Sequence, residues 1–155
     1  MGIIQGLYET HLEVTNLEES VKFYEEKLEL KLGRYEEGRR RAFYLFGEKE
    51  ESMISIVERK EIDIRHFAFR VSYEDLHEMI PFLDKKGIEV VCGWEGLPLD
   101  EPVVYPWLAS ASVFFNDLDG NRLEFICQLP LERRPDYEKV AVSLSEWLNM
   151  QKREI

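Results

Sequence analysis

The stretch Ser112-Val-Phe-Phe-Asn-Asp-Leu-Asp-Gly-Asn-Arg-Leu-Glu-Phe-Ile126 decides how this chain is read. Two runs of strand-forming residues flank a tight Asp-Leu-Asp-Gly-Asn turn, in which Gly120 is free to take positive φ and Asp117 and Asp119 are able to bond nearby amides. After the turn, period-2 alternation puts Arg122, Glu124 and Ile126 on one face and Leu123 and Phe125 on the other. Glu124 is thereby a carboxylate inside an otherwise apolar strand. Such a group is either exposed at an edge or aimed into a cavity where something positive receives it.

Working outward, the chain presents one plan twice. Residues 6–15 alternate as a strand, with Glu9, His11 and Glu13 on one face. Asn16, with Glu19 three residues on, caps a helix whose Leu17, Val21, Tyr24 and Leu28 form an apolar stripe. Strands follow at 31–35, 41–46 and 53–57. Alternation sorts Ala42, Tyr44 and Phe46 from Arg41, Phe43 and Leu45 and leaves open which set meets a cavity. The second copy runs through a strand at 65–71, a helix opened by Ser72 and Asp75 with Leu76, Ile80 and Leu83 as its stripe, and a stop at Gly87. A strand at 88–92 and the hairpin complete it. The first strands align at His11 and His66, 55 residues apart, so the chain reads as two βαβββ modules in an α+β fold, their strands forming a curved, open, mixed sheet.

Residues 93–109 read as a long loop whose aromatics, Trp94, Tyr105 and Trp107, could wall one end of a pocket. A connector at 130–135 leads to a helix from about 136 to 152, striped by Tyr137, Val140, Leu144, Trp147 and Leu148, that must cover a surface of its own chain or of a partner. The boundaries expected are therefore 1–129 for the two modules, at about 6–58 and 64–128, and 130–155 for the connector and last helix.

Composition excludes several classes of function. A net charge of −11 and a pI near 4.8, with no basic stripe, oppose nucleic acid as a partner, because phosphate binding needs clustered cations. The first residues lack a charged leader, and no run approaches membrane-spanning length, so a cytoplasmic address is expected with no membrane partner. Cys92 and Cys127, at no metal or redox spacing, are most simply buried thiols.

If each sheet packs its apolar face on its helix, His11, His66 and Glu124 all point the opposite way. Two imidazoles and one carboxylate make a 2-His-1-carboxylate set that leaves coordination positions open, as a catalytic metal requires. Glu13, Arg70 and Arg122 share those faces; Glu13 reads as a base or substrate acceptor, and the arginines as charge balance. His77, off its helix's apolar stripe, reads as solvated.

Residues 11–28 (His-Leu-Glu-Val-Thr-Asn-Leu-Glu-Glu-Ser-Val-Lys-Phe-Tyr-Glu-Glu-Lys-Leu), 66–71 (His-Phe-Ala-Phe-Arg-Val) and the stretch 113–125 together resemble the vicinal oxygen chelate proteins. That superfamily includes glyoxalases, fosfomycin-modifying thiol transferases, extradiol dioxygenases and bleomycin-binding proteins. The resemblance implies His11, His66 and Glu124 as ligands of a divalent ion, open among nickel, manganese, zinc and iron. It implies a small-molecule substrate chelated through two neighbouring oxygens, and a homodimer. The acidic fourth ligand of glyoxalases has no counterpart, since 53–57 offers only Ser55 near that place. Arg133 and Tyr137 stand at distances similar to the substrate-serving arginine and tyrosine of the bacillithiol-type fosfomycin enzymes. The expected function is a metal-dependent lyase or thiol transferase. An Fe(II) extradiol-type dioxygenase and a non-catalytic binding protein of the bleomycin-resistance type stand as rivals.

Overall fold

A computed structural model describes residues 2–153. The chain divides into two compact units, one running through Arg65 and taking in Asp117–Asn121, the other holding His66–Asn116 and the chain from Arg122 onward. No helix of the described residues is long and apolar enough to cross a membrane.

The first unit contains β1 (Glu9–Val14), α1 (Leu17–Lys22), a π-helical turn (Phe23–Lys27), β2 (Lys31–Glu36), β3 (Arg41–Phe46) and β4 (Ser52–Glu58). Its sheet has the order β1-β4-β3-β2, with β1 parallel to β4 and the other pairs antiparallel. Asn16 caps α1 as expected, its Oδ1 accepting the Glu19 N–H at 3.0 Å. The Glu58 carboxylate accepts the Leu17 N–H at 2.9 Å, satisfying a second free amide of that first turn. The π-turn then widens the apolar face, so that Phe23 and Tyr24, neighbours in sequence, are both buried with Leu17 and Leu28, while Val21 is only half-buried.

Register settles which face of β3 is which. Ala42, Tyr44, Ile54, Ile56, Leu12 and Val14 are buried, and the Tyr44 ring lies 5.8 Å from that of Tyr24 on the helical segment. Arg41, Phe43 and Leu45 therefore share the face of His11, which pairs with Ser55 as Ser55 pairs with Phe43.

The 117–121 turn is held in this unit by side chains rather than by strand pairing. Asp117 Oδ1 accepts the Asp119 and Asn121 amides, and its Oδ2 accepts the Tyr24 hydroxyl at 2.7 Å and Asn121 Nδ2 at 2.9 Å. Asn121, wholly buried, also donates to the Glu13 carbonyl and accepts the Arg65 N–H. The Asp119 carboxylate receives both the backbone N–H and the hydroxyl of Thr15. Gly120 takes φ +85°, as its place in the turn requires. Burial raises the Asp117 carboxyl above its ordinary range, against the hydrogen bonds that favour the ionised form, and burial beside Asp117 pushes the Tyr24 hydroxyl well up.

The second unit contains β5 (His66–Arg70), a 3₁₀ turn (Glu74–Glu78) running into α2 (Met79–Lys85), β6 (Val103–Tyr105), β7 (Ser110–Asn116), β8 (Arg122–Gln128), β9 (Val142–Ser143) and α3 (Leu144–Arg153). Its strand order, β5-β8-β7-β6-β9, repeats that of the first unit with one strand added, and β5 is again parallel to the last strand of its module. The repeat read at His11 and His66 is thus a repeat of topology. Ser72 and Asp75 bond each other at the helix entry, and Gly87 ends the helix at φ +67°.

Several expectations are corrected here. Residues 88–92 form no strand; Val91 makes a single bridge to Phe114. The place beside β7 is taken by β-branched Val103 and Val104, so the expected loop at 93–109 contains β6. The last helix begins at Leu144 rather than near 136, because Val142 and Ser143 pair with β6 and the Ser143 hydroxyl accepts the Glu146 N–H at 3.2 Å, starting the helix there. Of its expected stripe, Trp147 is fully buried, whereas Val140 precedes the helix and is exposed, and Leu148 is exposed too. Cys92 is also exposed, and Cys127 alone of the two cysteines is buried.

Candidate functional site

The alternation that singled out Glu124 holds in the second unit. On β8, Arg122 pairs with His66 and Glu124 with Ala68 of β5, while Phe114 of β7 stands opposite Glu124. His66, Arg122, Glu124 and Phe114 therefore occupy one face of the sheet. The imidazole reaches diagonally along that face, with His66 Nε2 2.9 Å from Glu124 Oε2. The histidine side chain is half exposed and the carboxylate only 8% exposed, so the pair opens outward from a buried base. The other carboxylate oxygen, Oε1, accepts the hydroxyl of buried Ser112 at 3.0 Å.

Around this pair the sheet adds aromatic and cationic groups. The Arg122 guanidinium lies over the Phe114 ring, 4.6 Å from its centroid, and donates to the carbonyls of Cys92 at 2.8 Å and Gly93 at 3.4 Å. A β-carbon on Gly93 would meet the Phe114 ring at 2.3 Å, so glycine is what lets the 92–93 backbone close on that ring. The His66 and Phe114 ring centroids are 6.2 Å apart. Burial, and after it the negative charge of Glu124, raise the Tyr105 hydroxyl above its ordinary value. Trp94, partly exposed, meets Tyr105 edge to face at 6.5 Å.

The remaining candidates have surroundings of their own. In the first unit, His11 Nε2 lies 3.0 Å from Glu9 Oε1 on an exposed surface, and Glu13 accepts the Asp63 N–H through Oε2 at 2.9 Å. Arg70 is exposed on β5 and pairs with Ile126. Trp107 is exposed in the turn after β6, and Arg133 is exposed in the connector. Tyr137 packs edge to face on Trp147 at 6.3 Å, with its hydroxyl on the Met150 sulfur, and it is Arg134, not Arg133, that stacks on its ring. His77 is exposed, as expected.

Ser112 and Phe114 were not singled out in the sequence, although counting outward from the turn pairs Asn116 with Arg122 and hence Phe114 with Glu124. Register also refines the missing fourth acid. Glu124 stands opposite the residue two beyond His66, and the residue opposite the position two beyond His11 is Val57. Val57, rather than Ser55, holds that place, and it offers no ligand atom.

Among the described residues no group of three or more His, Cys, Asp or Glu side chains stands in metal-holding geometry. What the second unit does offer is an imidazole nitrogen and a carboxylate oxygen converging from adjacent strands, with the second carboxylate oxygen already satisfied. That donor pair fits a divalent ion of borderline hardness.

Comparison with known proteins agrees with the topology. The Glyoxalase/Bleomycin resistance protein/Dioxygenase superfamily matches residues 7–125. The chain is similar to an integron cassette protein from the mobile metagenome of the Halifax Harbour sewage outfall, with 30% identity, a TM-score of 0.66, and 80% of this chain and 99% of that one covered. It shares its fold with a glyoxalase/bleomycin resistance protein/dioxygenase from Nocardioides (18% identity, TM-score 0.62, 88% and 92% covered). It does so too with the fosfomycin resistance protein FosX from Listeria monocytogenes (20% identity, TM-score 0.61, 85% and 100% covered). Two βαβββ units of matching strand order, with a histidine on the first strand of each and a glutamate on the last strand of the second, are the features of a chain that belongs to the glyoxalase/bleomycin resistance/dioxygenase superfamily.

Proposed function

We propose that this protein is a divalent-metal-dependent enzyme of the glyoxalase and fosfomycin-resistance type, acting on a small molecule through two neighbouring oxygens. The observation that carries the proposal is the 2.9 Å approach of His66 Nε2 to Glu124 Oε2 on a half-open face. In this reading both atoms are ligands, and His11, the counterpart of His66 in the repeat, is the third. When bound, the ion supplies Lewis acidity that stabilises negative charge developing on substrate oxygen.

The chain's own residues supply the rest. Val57 at the fourth-ligand position favours a three-ligand set over the four-ligand set of glyoxalases, leaving more of the coordination sphere to substrate. Tyr105 donates a hydrogen bond to a substrate oxygen, and Trp94, edge to face with its ring, lines the same place. Arg122, already engaged by two carbonyls, keeps the 92–93 backbone against the sheet.

Bidentate chelation has a direct test. Acetohydroxamate, which offers two neighbouring oxygens, is titrated into Mn(II)-loaded and EDTA-treated protein while water-proton relaxation is followed. The proposal expects displacement of metal-bound water in the loaded protein alone. Binding that survives EDTA unchanged would support the non-catalytic binding protein instead. Oxygen uptake with a catechol in the presence of Fe(II), and not of Mn(II) or Zn(II), would move the assignment to a dioxygenase.

A further inference from the structure

We infer that Ser112 is a positioning residue that fixes Glu124 as a one-oxygen ligand, an inference that rests on the metal-dependent reading above. A carboxylate on a metal either shares both oxygens with the ion or gives one and keeps the other. Here the choice is built into the strand. Ser112 sits on β7 diagonal to Glu124, with no exposure to solvent, and its hydroxyl donates to Oε1 at 3.0 Å. Oε2 is the atom turned toward His66. The two oxygens thus have different partners before any ion arrives.

The consequence is a count of coordination positions. A one-oxygen Glu124 occupies a single coordination position, and chelation of a substrate through two oxygens needs at least two positions free of protein ligands. Freed from Ser112, Oε1 would turn toward the ion as an added ligand, raising the coordination number and crowding the positions substrate needs. Partners behind a ligating group also set its orientation, and their loss typically lowers metal affinity by about 10–100-fold. Ser112 touches neither the ion nor the substrate in this account; it acts through Glu124.

The test compares wild type, Ser112→Ala, Ser112→Thr and Glu124→Ala, each purified metal-free and titrated with Co(II). Affinity is read by calorimetry and coordination by the visible d–d bands, whose intensity falls as coordination number rises. We expect Ser112→Ala to bind at least about tenfold more weakly, with weaker d–d bands per bound ion, and Ser112→Thr, which keeps the hydroxyl, to restore both. Thermal unfolding of the metal-free proteins checks that Ser112→Ala is folded, and a purely structural role for the serine would leave the band intensity unchanged. Co(II) binding and spectra in Ser112→Ala equal to wild type, alongside lost binding in Glu124→Ala, overturn the inference while leaving the site. Wild type that fails to bind Co(II), or Glu124→Ala that binds as wild type does, removes the site and the role of Ser112 with it.

Discussion

Replacing Asn121 with alanine removes the side chain that ties the 117–121 turn into the first unit. Its Oδ1 accepts the Arg65 N–H at 2.9 Å, and its Nδ2 donates to the Glu13 carbonyl at 3.0 Å and to Asp117 Oδ2 at 2.9 Å. Alanine strands the Arg65 amide and the Glu13 carbonyl, both partly buried, and takes one of four donors from Asp117. Stranding a buried polar group costs about 1–3 kcal/mol, and partial access to water puts each of these near the lower figure. The total comes to about 3 kcal/mol, out of the ~5–15 kcal/mol by which a domain is stable. In a chain of this size that lowers the unfolding midpoint by about 6–12 °C. Circular dichroism melts of wild type and Asn121→Ala measure the shift, and Asn121→Asp is the control. Aspartate keeps the acceptor for Arg65 but sets a second negative charge against the Asp117 carboxylate, so it should fall further than alanine does. An Asn121→Ala midpoint within about 1 °C of wild type would show that the turn is held by something other than these bonds.

The Tyr44 hydroxyl is buried without a hydrogen-bond partner among the described residues, so Tyr44→Phe should be neutral or stabilise by up to about 1 kcal/mol in urea titrations; a clear loss would reveal an unseen partner. Gly93→Ala pushes a methyl group into the Phe114 ring and should cost about 1–3 kcal/mol, whereas Gly38→Ala, with open space around its α-carbon, should cost less than about 1 kcal/mol. Because the folded carboxyl of Asp117 is raised above its ordinary 3.8, its contribution to stability is fully present below that pH and is lost as pH rises through the folded value. The unfolding free energy of wild type minus that of Asp117→Asn should therefore fall as pH is raised from below 3.8, and a difference that climbs with pH would reverse the assignment. Asn16→Ala removes the cap of α1 and should cost about 1 kcal/mol by the same titrations, with Asn16→Asp close to wild type.

The fold was legible where local chemistry and packing agreed. His11 and His66 recur on equivalent strands, Asn16 and Gly87 punctuate the helices, and the 117–121 turn carries its own hydrogen-bonding side chains, so the two βαβββ modules could be read without neighbours. The errors arose where tertiary pairing overrode a local pattern. Ile88, Val90 and Val91 look as strand-like as Val103 and Val104, yet the second pair wins the place beside β7. Periodicity after residue 136 suggests a long helix, but Ser143-Leu-Ser-Glu146 has the capping-box pattern, and its serine caps the helix; that signal is present in the sequence and outweighed there by the longer apolar stripe.

The site was half legible. Alternation puts His66 and Glu124 on one face, and the structure brings His66 Nε2 within 2.9 Å of Glu124 Oε2. The bond of Ser112 to Glu124 runs diagonally across the hairpin, where simple facing pairs in the sequence do not lead. The resemblance places Arg133 and Tyr137 by their distance from the glutamate, and distance along a connector does not fix where a side chain points; the Tyr137 ring packs on Trp147.

The most direct measurement of the central claim is metal content by inductively coupled plasma mass spectrometry on untagged protein, for wild type beside His11→Ala, His66→Ala and Glu124→Ala. The account predicts close to one equivalent of a divalent metal in wild type and its loss in each variant. Wild type that holds no metal after incubation with Mn(II), Ni(II), Zn(II) and Fe(II), or variants that retain it, would contradict the account.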